Sequence, residues 1–285
     1  MSDILIAIAN VAILTFVLAS MVGLGLSLTV GQILNPLKNA KLVVLGLVTN
    51  FAVAPAAAWA VAELLGLDSR LTLGLLLLGT AAGAPFLPKL AQISKADVPY
   101  SVGLMVLLMV VTIGYIPLVL VPLVDGVEVS AWDIAQPLIY FMLVPLGIAL
   151  VIRARYPDSA KLAPHLNQIS TVSLALGLVI AIAVGLPELI DAFGTGAFVS
   201  AIVFVVICLG AGYILGGSTR DQRVVTGLGT AQRNISAALL IATTSFSDQP
   251  ETLIMVMVGG VLMAVILLPL AAELGRRAER AGAAV

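Results

Sequence analysis

The chain runs to 285 residues, 61% of them apolar and 10% charged, and its mean hydropathy of +1.16 excludes a water-soluble domain. A formal net charge of −1 offers no field to gather nucleic acid, and a single cysteine, Cys208, excludes an internal disulfide. What remains is a membrane protein.

In chain order, apolar runs set off by polar and turn residues predict nine transmembrane helices, at about 4–29, 41–65, 70–94, 98–124, 132–152, 166–187, 194–217, 221–247 and 251–274. Each has roughly 20 residues or more, enough at ~1.5 Å per residue to cross a ~30 Å hydrocarbon core with some tilt. The first run is too long for a signal-peptide core and has no basic leader, so it is expected to stay as a span. Ser94-Lys95-Ala96-Asp97 is the sole polar break between the third and fourth runs. Connections are short and no soluble domain is expected. His165, the lone histidine, falls in the 157–167 connection with no second His or Cys nearby, so it is expected to be solvated and no metal or cofactor is expected. The tail after Leu274 is basic and expected to fray.

Basic residues orient this string of helices. Lys38, Lys41, Lys95, Arg153, Arg155, Lys161, Arg220 and Arg223 fall in alternate connections, and Arg276, Arg277 and Arg280 in the tail. The opposite side carries only Arg70 and is acidic, with Asp125, Glu128, Glu188 and Asp191 among others. Positive charge gathers on the cytoplasmic side, so the N-terminus is expected outside and the C-terminus in the cytoplasm of a cell carrying the protein in its plasma or inner membrane.

Two basic residues do not fit this pattern. Lys89 and Arg233 lie inside predicted spans, where a charge costs on the order of 2.5–3.5 kcal/mol even on lenient scales and marks a candidate functional site. Each sits just downstream of the same four letters, Leu78-Gly79-Thr80-Ala81 and Leu228-Gly229-Thr230-Ala231. Gly83, Pro85, Pro88 and Gly229 predict helix breaks there, because proline removes a backbone donor and glycine weakens a helix. The two spans are five apart in sequence and cross in opposite directions, as an inverted repeat of 1–124 and 125–285 requires. The breaks leave half-helix N-termini facing the membrane interior, where N–H groups attract anions. Thr230, Gln232, Asn234 and Ser236 can complete a polar cavity.

From these residues onward the chain resembles the bile acid:sodium symporter family. Met21-Val22-Gly23-Leu24-Gly25-Leu26-Ser27-Leu28-Thr29 is similar to that family's Met-x-x-Gly-x-x-Leu pattern, and Asn50-Phe51-Ala52-Val53-Ala54-Pro55 to its Gln-Phe-x-x-x-Pro. The resemblance covers nearly the whole chain and matches a nine-span form of the family. It implies an all-α membrane fold of the sodium/proton-antiporter type, with two broken helices crossing near the midplane. It also implies a panel domain of spans 1, 5 and 6 and a core domain of spans 2–4 and 7–9. Family members typically carry organic anions, driven by sodium.

The sodium ligands that the resemblance implies are mostly replaced. Where the family's first broken helix usually supplies Ser-Asn, this chain has Leu87 and Pro88, followed by Lys89. Where the second usually reads Glu-x-Gly-x-Gln-Asn, it has Gly229-Thr230-Ala231-Gln232-Arg233-Asn234, so the acid is Gly229, the Gln is Arg233 and only the Asn survives. Ser101 matches a further hydroxyl ligand, the next one falls on Met105, and Asn50 stands for a Gln. Sodium favours several hard oxygens, usually with a carboxylate, and no Asp or Glu lies deep in any predicted span.

Lys89 and Arg233 are therefore expected to stand in for the coupling ions as fixed positive charges. The chain would be a sodium-independent secondary transporter of a small organic anion working by alternating access. Other readings stay open: proton coupling through Lys89, whose neutral form burial would favour, sodium coupling, or a non-transporting receptor of the same fold. Lys89 could instead snorkel to the interface, and Arg233 could pair with backbone carbonyls without touching substrate. No Ser/His pair, Asp dyad or His-Glu-x-x-His motif lies in the spans, so no enzyme activity is expected.

Overall fold

The computed structural model describes residues 2–35, 38–123, 131–184 and 192–282, and no strand occurs among them. The helices in chain order are α1 (Ser2–Ser27), α2 (Val30–Leu34), α3 (Ala40–Val48), α4 (Ala54–Leu65), α5 (Ser69–Thr80), α6 (Leu87–Ile93) and α7 (Val98–Leu123). They continue as α8 (Ala131–Leu138), α9 (Val144–Arg155), α10 (Ala163–Val184), α11 (Ala197–Leu215), α12 (Arg220–Ala231), α13 (Ile235–Thr244) and α14 (Pro250–Gly282). Single π-turns, Thr49–Val53 and Ile139–Leu143, join α3 to α4 and α8 to α9.

Among the described residues, six segments are long and apolar enough to cross a membrane: Ala7–Ser27, Ala40–Leu65, Val98–Val119, Ile134–Arg155, Ala197–Leu215 and Pro250–Arg280. The chain is an all-helical, multi-pass membrane protein. The expected boundary between repeats at 124/125, and the acidic residues Asp125, Glu128, Glu188 and Asp191, lie outside the described residues.

α1 packs along α10 and α9, with the Ser170 hydroxyl donating to the Phe16 carbonyl at 3.2 Å. A second group gathers round α5 and α12: α5 packs on α4, α7 and α14, and α12 on α6, α7 and α11. Between them Leu75, Leu77, Leu78, Leu104, Met105, Leu108 and Leu228 are fully buried. α13 is buried on every side from Ser236 to Ala242 and touches both groups, packing on α5 and α14 and also on α1 and α8. A helix apolar on every side, as α13 is from Ala237 to Ala242, gains its stability from being surrounded.

The two interrupted spans differ in how they break. The first is non-helical over residues 81–86, between α5 and α6. Gly83 holds φ +80 there, and a Cβ on it would lie 2.2 Å from the Met109 nitrogen and 2.7 Å from the Met105 carbonyl oxygen. Only glycine fits a left-handed position pressed on a neighbouring backbone. Gly83→Ala should therefore destabilise the protein by about 2–5 kcal/mol, combining left-handed strain with overpacking. Thermal unfolding of the purified variant checks this, and an unchanged midpoint would refute it.

Pro88 does not break the span. It sits in the first turn of α6, where a missing donor costs nothing, so it starts that helix. The second break also falls later than the glycine indicates. Gly229 lies inside α12, which runs to Ala231, and the chain leaves the helix at residues 232–234. One glycine costs an interior helix only ~1 kcal/mol. Here it serves close packing instead, since a Cβ on it would meet Leu87 of α6 at 3.0 Å.

The C-terminal tail is also a correction. α14 continues as helix to Gly282, eight residues past the expected end at Leu274. Glu273 pairs with Arg276 and Arg277 one turn on, and Lys95 reaches Glu279. Arg220 adds a cross-tie, donating to the carbonyls of Ser94 at 3.2 Å and Leu274 at 2.7 Å. Exposed ion pairs contribute little singly, but Arg220 also satisfies carbonyls at the end of α6 that no helix partner can reach.

Candidate functional site

The site is built where the two breaks meet. The Asn234 N–H donates to the Ala81 carbonyl at 2.8 Å, joining one break to the other. Thr112 on α7 holds the first break from behind, its hydroxyl accepting from the Ala82 N–H at 3.0 Å and donating to the Ala82 carbonyl at 3.1 Å. Asn234 caps α13 by accepting from the Ala237 N–H at 3.1 Å. Diverting the Asn234 N–H to Ala81 and its side chain to α13 is what ends one helix and starts the next.

Arg233 fills the space between, with no solvent exposure. Its Nε donates to the Leu78 carbonyl at 2.9 Å, and Nη2 donates to the carbonyls of Gly79 at 2.8 Å and Asn50 at 3.4 Å. Nη1 donates to Asn50 Oδ1 at 2.6 Å and to the Thr230 carbonyl at 3.1 Å. A guanidinium has five N–H donors, and here all five are engaged. None of these acceptors is a carboxylate. Leu78, Gly79 and Thr230 are in the last turns of α5 and α12, where carbonyls lack intrahelical partners and the helix dipole is negative. The cation is held by helix ends.

Asn50 completes the cage because of Pro55. Proline has no N–H, so the Phe51 carbonyl cannot be paired in α register, nor the Asn50 carbonyl in the π register of Thr49–Val53. Both find other donors. Phe51 accepts from the Tyr115 hydroxyl and Asn50 from Arg233. The Asn50 side chain is turned so that its oxygen faces the guanidinium. Its Nδ2 donates to the Gly46 carbonyl at 3.0 Å and to Thr230 Oγ1 at 3.3 Å. A π-turn at a helix midpoint is a frequent mark of a functional site.

The structure thus brings Arg233, Asn50, Thr230 and Asn234 together. Gln232 is buried beside them in the break. Ser101 is not part of this network; its hydroxyl donates to the Val98 carbonyl one turn back at 2.6 Å. Lys89 is apart as well. It lies on an exposed face of α6, and its ammonium donates to Gln92 Oε1 at 3.2 Å. Phe86 shares that exposed face, at 41% of its free surface. Two buried polar atoms at the start of α13, Asn234 Nδ2 and Ser236 Oγ, have no hydrogen-bond partner among the described residues. No group of three or more His, Cys, Asp or Glu able to hold a metal occurs among the described residues.

Sequence reading alone misses four contributors: the carbonyls of Leu78 and Gly79, the Thr112 hydroxyl and the Tyr115 hydroxyl. The Asn50-to-Pro55 spacing carried a usable signal, since it leaves two carbonyls unpaired. The carbonyls of α5 carried none.

Two helix interruptions hydrogen-bonded to one another in an apolar, all-helical chain form the candidate site. The Sodium Bile acid symporter family model matches residues 13–192, and the chain belongs to that family. It is also similar to the probable sodium/metabolite cotransporter BASS3, chloroplastic, of Arabidopsis thaliana, at 24% identity over 195 residues. That match covers 68% of this chain and 45% of the relative, so the chain spans about half the length of the curated relative it matches. The family is named for a symporter and the relative for a cotransporter.

Proposed function

We propose that this protein carries a small organic anion by alternating access without sodium, because Arg233 permanently occupies the place of a coupling cation. The observation that carries this reading is the guanidinium's cage of five neutral oxygens, drawn from two helix ends and Asn50. Carbonyls at half-helix C-termini are the groups with which such carriers bind sodium. A tethered cation in that cage needs no ion from solution and cannot leave.

With all five donors engaged, Arg233 has none for substrate. Recognition of the anion then falls to the opposite, positive ends of the broken helices. Asn234 Nδ2 and Ser236 Oγ, buried and unpaired at the start of α13, are suited to a carboxylate or hydroxyl, and Lys89 supplies the attracting charge. The reading includes nine spans in two inverted repeats, divided at 124/125, with spans 1, 5 and 6 as panel and spans 2–4 and 7–9 as core. Packing of α13 on α1 and α8, while Phe86 before α6 and Lys89 on it are exposed, supports a core closed on one side of the crossing and open on the other. The cytoplasmic C-terminus follows from the basic connections.

The test is uptake into proteoliposomes of radiolabelled small mono- and dicarboxylates, with sodium and proton gradients imposed separately. Uptake that persists with choline in place of sodium is the expected result. A strict requirement for sodium would refute the reading. Lys89→Gln should raise the half-saturating concentration roughly tenfold, about the value of one partly desolvated charge-assisted contact. If proton gradients drive uptake and Lys89→Gln removes that response, Lys89 is the proton carrier instead.

A further inference from the structure

A second polar site lies away from the crossing. A cavity of about 990 Å³ opens where the α1–α3 connection meets the first turns of α7 and α12. Gln32, Asn35, Lys38, Asp97, Tyr100 and Gln222 contribute its polar lining. Most of these groups are fixed by local structure. Gln32 and Gln222 close the capping boxes of α2 and α12, and Tyr100 is buried with its hydroxyl 3.1 Å from Thr226 Oγ1. Asp97 uses one oxygen to accept from the Tyr100 N–H at 2.9 Å.

Two opposite charges are left over, on different elements. Lys38 is exposed, and its ammonium has no hydrogen-bond partner among the described residues. Asp97, on the α7 side, has no partner for its second carboxylate oxygen among the described residues. No salt bridge joins the two. One cation and one anion, not paired with each other, therefore line the same cavity.

The surroundings are apolar. α2 exposes Val30 and Leu34, and α3, whose first turn lines the cavity, exposes Val44 and Val48 along one face. In a membrane protein that face meets acyl chains. A polar cavity at the end of a span, with an apolar track running from it down the span, has the shape of a phospholipid rather than of a soluble metabolite.

We propose that this cavity binds the headgroup of an aminophospholipid of the phosphatidylethanolamine type. The phosphate would pair with Lys38 and the primary ammonium would donate to Asp97, with acyl chains lying over Val44 and Val48. The zwitterion follows from the charge pair. An anionic glycerol headgroup would bring its phosphate to Lys38 but offer Asp97 only neutral hydroxyls in place of a cation. A choline headgroup carries the charge but has no N–H to give. Since α2 is the joint between α1 and α3, a lipid seated there braces that joint from the side.

Native mass spectrometry of the delipidated full chain, with synthetic phosphatidylethanolamine, phosphatidylcholine and phosphatidylglycerol added at equal concentration, tests this. Phosphatidylethanolamine should be retained about fivefold over the other two, the scale of one partly exposed charged pair. Asp97→Asn keeps an oxygen for the Tyr100 N–H and should remove that preference, while Lys38→Gln should weaken retention of all three lipids. Equal retention of the three by the unaltered chain would overturn the proposal, as would a preference that survives both substitutions or a preference for phosphatidylglycerol. Free phosphoethanolamine is the last arm. Competition at a concentration equal to that of the lipid would assign the site to a soluble zwitterion and overturn the lipid assignment; failure to compete supports it.

Discussion

Arg233→Ala is expected to abolish transport and to lower stability by about 3–5 kcal/mol, the usual cost of removing one partner from a buried charged network. The loss has two parts. Five oxygens, on Leu78, Gly79, Thr230 and Asn50, lose their donor at a point with no solvent exposure. Each buried acceptor left unpaired costs about 1–3 kcal/mol unless water enters to replace the donor. The negative ends of α5 and α12 would then also face one another with no positive charge between them. Arg233→Lys separates charge from geometry. It restores the charge but offers three donors on a point-like ammonium in place of five on a planar fork, so it should fall between the two. Thermal unfolding should rank the unaltered protein above Lys above Ala, and uptake should follow the same order. Near-normal uptake by the alanine variant would show that the cage is incidental to transport.

The parts of this site legible in the sequence were those that break a composition rule. Arg233 stood out as a charge within an apolar span, and Gly83 and Pro85 as breakers beside it. Asn50 was found only through its resemblance to a family pattern, although Pro55 five residues on already implied unpaired carbonyls. The cage itself was not legible, because backbone oxygens of Leu78 and Gly79 are supplied by every residue and selected only by where α5 ends. Thr112 and Tyr115 look like ordinary polar residues of an apolar helix until their distant partners are known. Lys89 shows the opposite failure. It shares sequence context with Arg233, but a short helix begins at Leu87, and its turn carries the lysine to an exposed face and away from the cage. Six of the nine expected spans recur as long apolar helices among the described residues, and the reading fails where hydrogen bonds decide. Gly229 marked a break that Asn234 makes three residues beyond α12's interior. The tail past Leu274 had lost its apolar signal, yet Glu273, Arg276 and Arg277 carry the helix on by pairing at three- and four-residue spacing.

Sodium is expected to leave the stability of the unaltered protein unchanged and to stabilise an Arg233→Gln variant. In the unaltered protein the guanidinium consumes the oxygens that a hard cation would use. Glutamine at this position, the residue that the family pattern carries, withdraws the charge and adds an amide oxygen. The carbonyls of Leu78, Gly79 and Thr230 and the side-chain oxygen of Asn50 would then be free for an ion of sodium's hardness. Gly229 stands where the pattern has an acid, so affinity should be modest. At sodium ten times its dissociation constant the gain is about 1.4 kcal/mol, a rise in midpoint of roughly 3–6 °C for a chain of this size. Choline chloride at equal ionic strength is the control, and Arg233→Lys, which keeps a charge in the cage, should remain insensitive. The comparison decides both halves of the argument. A sodium response already present in the unaltered protein would mean that Arg233 does not hold the cation's place. No response in Arg233→Gln, provided the variant folds, would mean that the cage suits a guanidinium and not a sodium ion, and the lineage of the site would then have to be read from substrate contacts at Asn234 and Ser236 instead.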